Sequence, residues 1–368
     1  MLKKTLLSMT TIFCVVCSFG FTLPKQIQTD KNPTDQEDDL ELINLRKTFE
    51  NLRKKPMKPH KIKSLPFMEG WYTKITTTEH RIGTIVGIFT DKNNKQQGYV
   101  AILRHDKGKL SVTESYTDSF EVSRYDQDSD HFKVTLGDIA TLTNKYLTIK
   151  LKDGTLFRAD YDKGSPWKTS SLGLGPESVG VFLPFKSHWY VHRFDSRATF
   201  DLVTSDGREI SGRGFAHQEK NWGKTFPSGW IWAQGSTSDG KYHVALAGGE
   251  LDILRRKAYL IGIKTPWESI TFHPLHSVVK SEIDACEGRV KFRSIGMAKS
   301  VEITVEAPRS SFSPLSVPGE TGFEHGAKES FAATTKVKVF KGPKRNKLIR
   351  EFTVEGSALE FGGTYQCP

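Results

Sequence analysis

The chain has 368 residues, 37% of them hydrophobic, with 31 glycines, 16 prolines and a formal net charge of +11. That length buries one large core or two ordinary ones, and the composition suits a turn-rich globular β protein. No apolar run beyond the N-terminus reaches the ~20 residues that span a bilayer as a helix. No DNA- or RNA-reading motif accompanies the positive charge, so nucleic acid is excluded as a partner.

Lys3 and Lys4 precede a largely apolar stretch from Leu6 to Val16, and a polar segment follows Phe21. Residues 1–20 are therefore expected to be a signal peptide cleaved near Ser18–Gly20, and the protein to be exported, secreted or periplasmic. An uncleaved anchor, or a lipid on Cys17, is the alternative. Cleavage removes Cys14 and Cys17 and leaves Cys286 and Cys367, which can pair in an exporting compartment. Two lone cysteines give no zinc-site spacing. Residues 21–60 read as a polar linker and an amphipathic helix over 38–55, with Leu42, Leu45, Phe49 and Leu52 at three- and four-residue steps. Acidic residues open this helix and basic ones close it, as the helix dipole favours. Cations cluster at Arg53, Lys54, Lys55, Lys58, Lys61 and Lys63, and again at Lys341, Lys344, Arg345, Lys347 and Arg350. Such clusters either stay solvated or dock on an anionic membrane surface, which makes the protein a candidate for membrane association.

From Leu65 onward the period is two. Strands are predicted at 99–104, 110–116, 131–136, 147–151, 156–160, 198–203, 209–215, 243–247, 258–263, 290–292, 301–306 and 336–340. Turns fall at Asp91–Asn94, Asp106–Gly108, Asp153–Gly154 and Asp206–Gly207. Pro66-Phe67 followed by Trp71-Tyr72 returns, at the same spacing, as Pro184-Phe185 followed by Trp189-Tyr190. This echo predicts two similar halves, residues 61–182 and 183–368, joined through Gly164–Gly180. The expected fold is all-β: two tandem lipocalin-like antiparallel β-barrels with a short N-terminal helix, each barrel closing its sheet around a ligand cavity.

Chemistry concentrates between His217 and Gly235, where Trp222, Trp230 and Trp232 lie beside an imidazole, a carboxylate, an ammonium and an amide. If 212–221 is a strand, Phe215, His217, Glu219 and Asn221 share one face. His217 and Glu219 then stand about 6–7 Å apart along the backbone, close enough for a group between them to be protonated by one and oriented by the other. Trp230, Trp232 and Gln234 share a face of the next strand, where two indoles can wall a barrel interior or simply fill it. His188, Tyr190 and His192 also alternate onto one face, but no third ligand at recognisable spacing makes them a metal site. Glu69, just before Trp71 and Tyr72, reaches the same substrate only if the site lies between the barrels.

His217, Glu219, Lys220, Asn221, Trp222, Gly223, Phe226, Pro227, Trp230, Trp232 and Gln234 stand as in the tocopherol cyclase family. Glu69-Gly70-Trp71-Tyr72 resembles that family's opening, and the stretch from Ala358 to Gly363 its closing strand. The resemblance implies paired lipocalin-like barrels and an isomerase of vitamin E biosynthesis, which cyclises a prenylated hydroquinone to a chromanol through a tertiary carbocation, without cofactor or metal. It implies an acid, supplied here by Glu219 and His217 as one proton-donating unit; Glu219 is the preferred donor with His217 orienting it, and the spacing allows either assignment. Substrate contacts would come from Glu69, Trp71, Tyr72, His188, Tyr190, Asn221, Trp222, Phe226, Trp230, Trp232 and Gln234. Plant members carry plastid transit peptides where this chain carries a short secretory signal, so its substrate can be another prenyl quinol or isoprenoid. An isoprenoid double-bond hydratase and a non-catalytic carrier of an apolar lipid are the alternatives.

Overall fold

The computed structural model describes residues 57–60, 62, 64–123, 132–167, 175–251, 256–274, 276–319 and 321–368. The expected signal peptide, the expected helix over 38–55 and most of the first basic cluster lie outside them.

Two antiparallel sheets contain the strands of the described chain. The first contains β1 (Phe67–Thr76), β2 (Arg81–Thr90), β3 (Gln96–Asp106), β4 (Lys109–Thr117), β5 (Glu121–Ser123), β6 (Lys133–Leu136), β7 (Ala140–Thr143), β8 (Tyr146–Lys150), β9 (Leu156–Tyr161), β10 (Ser187–Val203) and β11 (Glu209–Gly223). The second contains β12 (Gly229–Ser236), β13 (His243–Leu251), β14 (Arg256–Lys264), β15 (Ser269–Phe272), β16 (Val278–Asp284), β17 (Arg289–Ile295), β18 (Lys299–Glu306), β20 (Phe323–Lys341) and β21 (Leu348–Gly363). Strand β19 (Ser313–Pro318) pairs with β20 beside it.

Both sheets share one plan. The first strand pairs with the last, β1 with β11 and β12 with β21, and the order breaks after the fourth strand. Every predicted turn is a hairpin turn, and three of the four carry glycine at positive φ: Gly108, Gly154 and Gly207. Each sheet curls around its own core. Ile102 of β3 and Val134 of β6, far apart in strand order, share one apolar cluster with Trp71, Phe157 and Phe200. Ile231, Val244, Phe292, Val337 and Phe361 form its counterpart in the second sheet. The curl stops short of the closure expected of a full barrel: among the described residues β4 and β5 do not pair, nor do β15 and β16.

The halves divide between Gly223 and Gly229, not near residue 182, because β10 and β11 complete the first sheet. The echoed segments are the two strands flanking β11: Trp71 of β1 and Tyr190 of β10 both pair with Lys220. They mark the neighbours of one strand and not the starts of two halves.

A third apolar cluster fills the space between the sheets, with Tyr72, Trp189, Phe194, Trp230, Trp232 and Phe331 among its members. Cys286, in the turn after β16, is bonded to Cys367 near the C-terminus across 81 residues of sequence. Cross-linking a loop of that order is worth about 2–4 kcal/mol. Cys367→Ser is therefore expected to lower unfolding free energy by roughly that amount. Urea titration of the unreduced protein checks it.

Candidate active site between the sheets

Strand β11 sends alternate side chains to opposite faces, and its two faces do different work. Ala216, Gln218, Lys220 and Trp222 point into the first sheet's curl; Phe215, His217, Glu219 and Asn221 point toward the second sheet. Register extends the division to the flanking strands: Glu69 and His188 lie opposite Trp222, while Tyr72 and Val191 lie opposite Glu219.

The face toward the second sheet gathers the ionisable cluster. His217 Nε2 and Glu219 Oε2 are 2.8 Å apart, and Trp232 Nε1 donates to the same oxygen at 3.1 Å. Trp232 is a β12 residue, so this bond crosses between the sheets. A second bond crosses the other way: the Tyr72 hydroxyl donates to Glu329 Oε1 at 3.0 Å. Tyr72 and Trp232 meet edge to face, 4.9 Å between ring centroids. Glu329 of β20 lies directly opposite Glu360 of β21, which in turn lies opposite Trp232 of β12. Trp230 Nε1 donates to Glu360 Oε1 at 2.5 Å.

Like charges directly across a ladder repel, and burial makes their ionisation costlier still. Burial, then the Glu360 carboxylate, pushes Glu329 well above the ordinary carboxyl range. Burial and the field of Glu219 outweigh the Trp230 hydrogen bond and raise Glu360 to about 7. Glu219 and Glu329 are buried, whereas Glu360 keeps part of its surface exposed. Burial and neighbouring charge also raise the Tyr72 phenol well above its usual value. Lys74, two residues along β1 from Tyr72, donates to the Gly356 carbonyl at 3.0 Å and lies over the Phe331 ring. Burial, then Arg81, lowers it to about 7, against the pull of Glu329.

The aromatic wall depends on one glycine. A Cβ on Gly362 would come within 2.0 Å of the Trp230 indole, so only glycine lets the ring cross β21 and reach Glu360. Phe226 packs against Trp230 at 4.9 Å, and Gln234 donates to Ser236 further along β12. Buried polar atoms on or beside this face with no hydrogen-bond partner among the described residues include Trp189 Nε1, His217 Nδ1, Gln234 Oε1 and Glu329 Oε2. Trp230 and Trp232 do not line a barrel interior; Ile231 and Ala233, which alternate with them, fill the second sheet's curl instead.

Glu69, Trp71, His188, Tyr190 and Trp222 are on the opposite face, away from Glu219. Lys220 Nζ donates to Glu69 Oε1 at 3.1 Å and to the Lys58 carbonyl at 2.7 Å. His60 bonds Glu69 through both its backbone N–H and its ring. The Trp222 indole is stacked between His60 and His188, at 4.2 and 5.2 Å. Burial pushes Glu69 up, but Lys220 and His60 outweigh it and hold the carboxyl below its usual value. Burial lowers Lys220 despite Glu69. The network ties the segment around residues 57–60 to the end of the first sheet. His192 falls at an irregularity in β10 between Val191 and Arg193, so it does not continue the alternation of His188 and Tyr190.

Sequence reasoning missed Glu329 and Glu360. A signal was present: each carboxylate occupies an apolar-face position of its strand, Glu329 between Ala327 and Phe331 and Glu360 two residues after Ala358, all three neighbours belonging to the inter-sheet cluster.

The family model described as tocopherol cyclase-like matches residues 176–363, just over half of the chain, and the protein belongs to that family. The match begins beyond Glu69–Tyr72. No curated protein sequence is similar enough to be matched. Among solved structures, kievitone hydratase from Nectria haematococca superposes with a TM-score of 0.51 at 12% identity, covering 84% of this chain and 91% of that one. CghA with Sch210972 does so with a TM-score of 0.51 at 13% identity, covering 80% and 88%. These likenesses establish the fold: two tandem lipocalin-like β units.

Breaking a buried ion pair by removing one partner costs about 3–5 kcal/mol. Glu69→Leu and Lys220→Met are each expected to destabilise the protein by that order, and the double variant by less than their sum. Denaturant unfolding of the three variants measures it.

Proposed function

We propose that the space between the sheets is the active site of an acid-catalysed cyclase acting on a prenylated hydroquinone or related isoprenoid. The observation that carries this reading is the Glu329–Glu360 cross-strand pair, protonated carboxyl chemistry held against the indoles of Trp230 and Trp232.

Glu360, the partly exposed member, delivers its proton to the less substituted carbon of a side-chain double bond. A tertiary carbocation forms, and each indole face lowers its energy by about 0.5–2 kcal/mol. The phenolic oxygen closes the new C–O bond and releases its proton to Glu219, an acceptor already oriented by Trp232 and His217. The proton returns to Glu360 within the carboxyl cluster, so the product is an isomer of the substrate. This assigns the donor role to the Glu329–Glu360 pair instead of Glu219, and leaves Glu219 with His217 as the receiving pair. A carrier would need the aromatic wall but not three facing carboxyls.

Hydration shares the first step. His217 Nδ1 and Gln234 Oε1, unpartnered among the described residues, could hold a water against the same cation. Product mass separates the readings: an isomer for cyclisation, a product heavier by one water for hydration, unchanged ligand for a carrier. The Cys286–Cys367 bridge is compatible with an exported protein.

Removing a general acid typically costs 10²–10⁴-fold in rate. Glu360→Gln and Glu329→Gln are expected to lose turnover of a converted prenyl quinol by about that factor while still quenching tryptophan fluorescence on binding. Wild-type activity should fall as pH rises through about 7, where Glu360 ionises. Stability follows the same sign: a carboxyl raised from 4.5 to about 7 favours the folded state at low pH and loses that contribution across this interval. Melting temperature of the wild type should therefore drop more than that of Glu360→Gln between those pH values. Full activity in both glutamine variants would place the acid elsewhere.

A further inference from the structure

One end of the second sheet carries a surface that the inter-sheet chemistry does not use. Three turns meet there: Thr265–Glu268 after β14, 296–298 after β17, and 342–347 after β20. Gly342 N–H donates to the Ala298 carbonyl at 2.8 Å, Lys299 is ion-paired with Glu268, and the Arg350 guanidinium lies 4.0 Å over the Trp267 ring. Five of the eight exposed large apolar side chains among the described residues belong to these turns or the strand ends beside them: Trp267, Val278, Met297, Leu348 and Ile349. Trp267 is 68% exposed and Met297 90%. Single exposed apolar residues are ordinary on a soluble protein; a gathering at one tip is not.

The charge around the tip is one-sided. Lys341, Lys344, Lys347 and Arg350 have no ion pair among the described residues. The nearby carboxylates are already engaged, Glu268 by Lys299 and Glu302 by Arg345 and Arg293. Tryptophan favours the boundary between head groups and acyl chains, and lysine and arginine favour the anionic phosphates just outside it. The tip is built of hairpin turns whose apolar side chains project into solvent, so it suits insertion into a soft surface better than capture of a peptide.

We propose that this end of the second sheet docks on an anionic lipid bilayer, Trp267, Met297 and Leu348 entering the interface while Lys341, Lys344 and Lys347 face the head groups. Docking does not depend on the cyclase reading; it stands on the exposed apolar tip and its uncompensated cations.

Flotation of the full-length protein with phosphatidylcholine vesicles, with and without phosphatidylserine, tests it. The protein should float with the anionic vesicles, poorly with the neutral ones, and less as salt rises. One basic residue near an anionic surface is worth about fivefold in partitioning. Lys344→Ala/Lys347→Ala is thus expected to weaken binding about 25-fold. Met297→Ser, at a side chain too exposed to support the fold, should weaken it as well, and Trp267→Ser further. Melting temperatures close to wild type for Met297→Ser and the lysine double variant would exclude unfolding as the cause. No flotation, or equal flotation with neutral lipid, overturns the proposal. So does a wild-type dimer, seen by light scattering, that Met297→Ser converts to monomer, since the tip would then be an interface between copies.

Discussion

Three carboxyl groups facing one another across the seam between the sheets are the constraint on which the site depends. A buried carboxylate must be neutralised by a partner, by hydrogen bonds or by a proton. Here the two sheets divide the task. Each supplies an aromatic donor to the other's acid, Tyr72 to Glu329 and Trp232 to Glu219, so the bonds that orient the acids also hold the sheets together. Hydrogen bonds from tyrosine and tryptophan satisfy one or two oxygens but add no positive charge. Lys74, whose ammonium acts on Glu329, is itself depressed by burial. With so little cationic compensation, the Glu329–Glu360 pair retains a proton, and a neutral carboxylic acid beside indole faces is the arrangement that carbocation chemistry calls for.

Strand β11 shows how one short motif serves two ends. Its period-two alternation sends Lys220 and Trp222 to a structural lock with Glu69, His60 and His188, and His217 and Glu219 to the seam. The lock pairs its buried carboxylate with a buried ammonium; the seam brings three carboxyls together. Adjacent residues of the motif thus answer to opposite electrostatic demands: Lys220 is ion-paired with Glu69, while Glu219 faces two further carboxyls. Gly362 has an equivalent place on β21, where the missing side chain lets Trp230 reach Glu360.

Much of this was legible in the sequence, and what was not has a physical cause. Alternation and turn residues placed twelve strands that each overlap an observed one, ten of them wholly inside it, because hairpins with glycine at positive φ are locally encoded. The family resemblance, the shared face of His217 and Glu219, and the pairing of Cys286 with Cys367 needed only local pattern or counting. The division of the halves did not follow, because which strand closes a sheet is set by long-range pairing: β1 and β11 are joined across more than a hundred residues of sequence. The same non-locality hid the acids. Glu329 and Glu360 are unremarkable along the chain and become a pair only when β20 lies beside β21. Trp222, grouped with Trp230 and Trp232 by proximity in sequence, faces away from the seam because it stands three residues, an odd step, from Glu219 along β11.

The central claim is a carboxylic acid kept protonated between the sheets at neutral pH. Infrared spectroscopy reads it directly, since the C=O stretch of a protonated carboxyl is distinct from that of a carboxylate. Difference spectra at pH 7 between the wild type and Glu329→Gln, Glu360→Gln and Glu219→Gln isolate each group. The account predicts a protonated-acid band that disappears in the Glu329 or Glu360 variant and survives in the Glu219 variant. Absence of any such band in the wild type, or its loss only with Glu219, would contradict it.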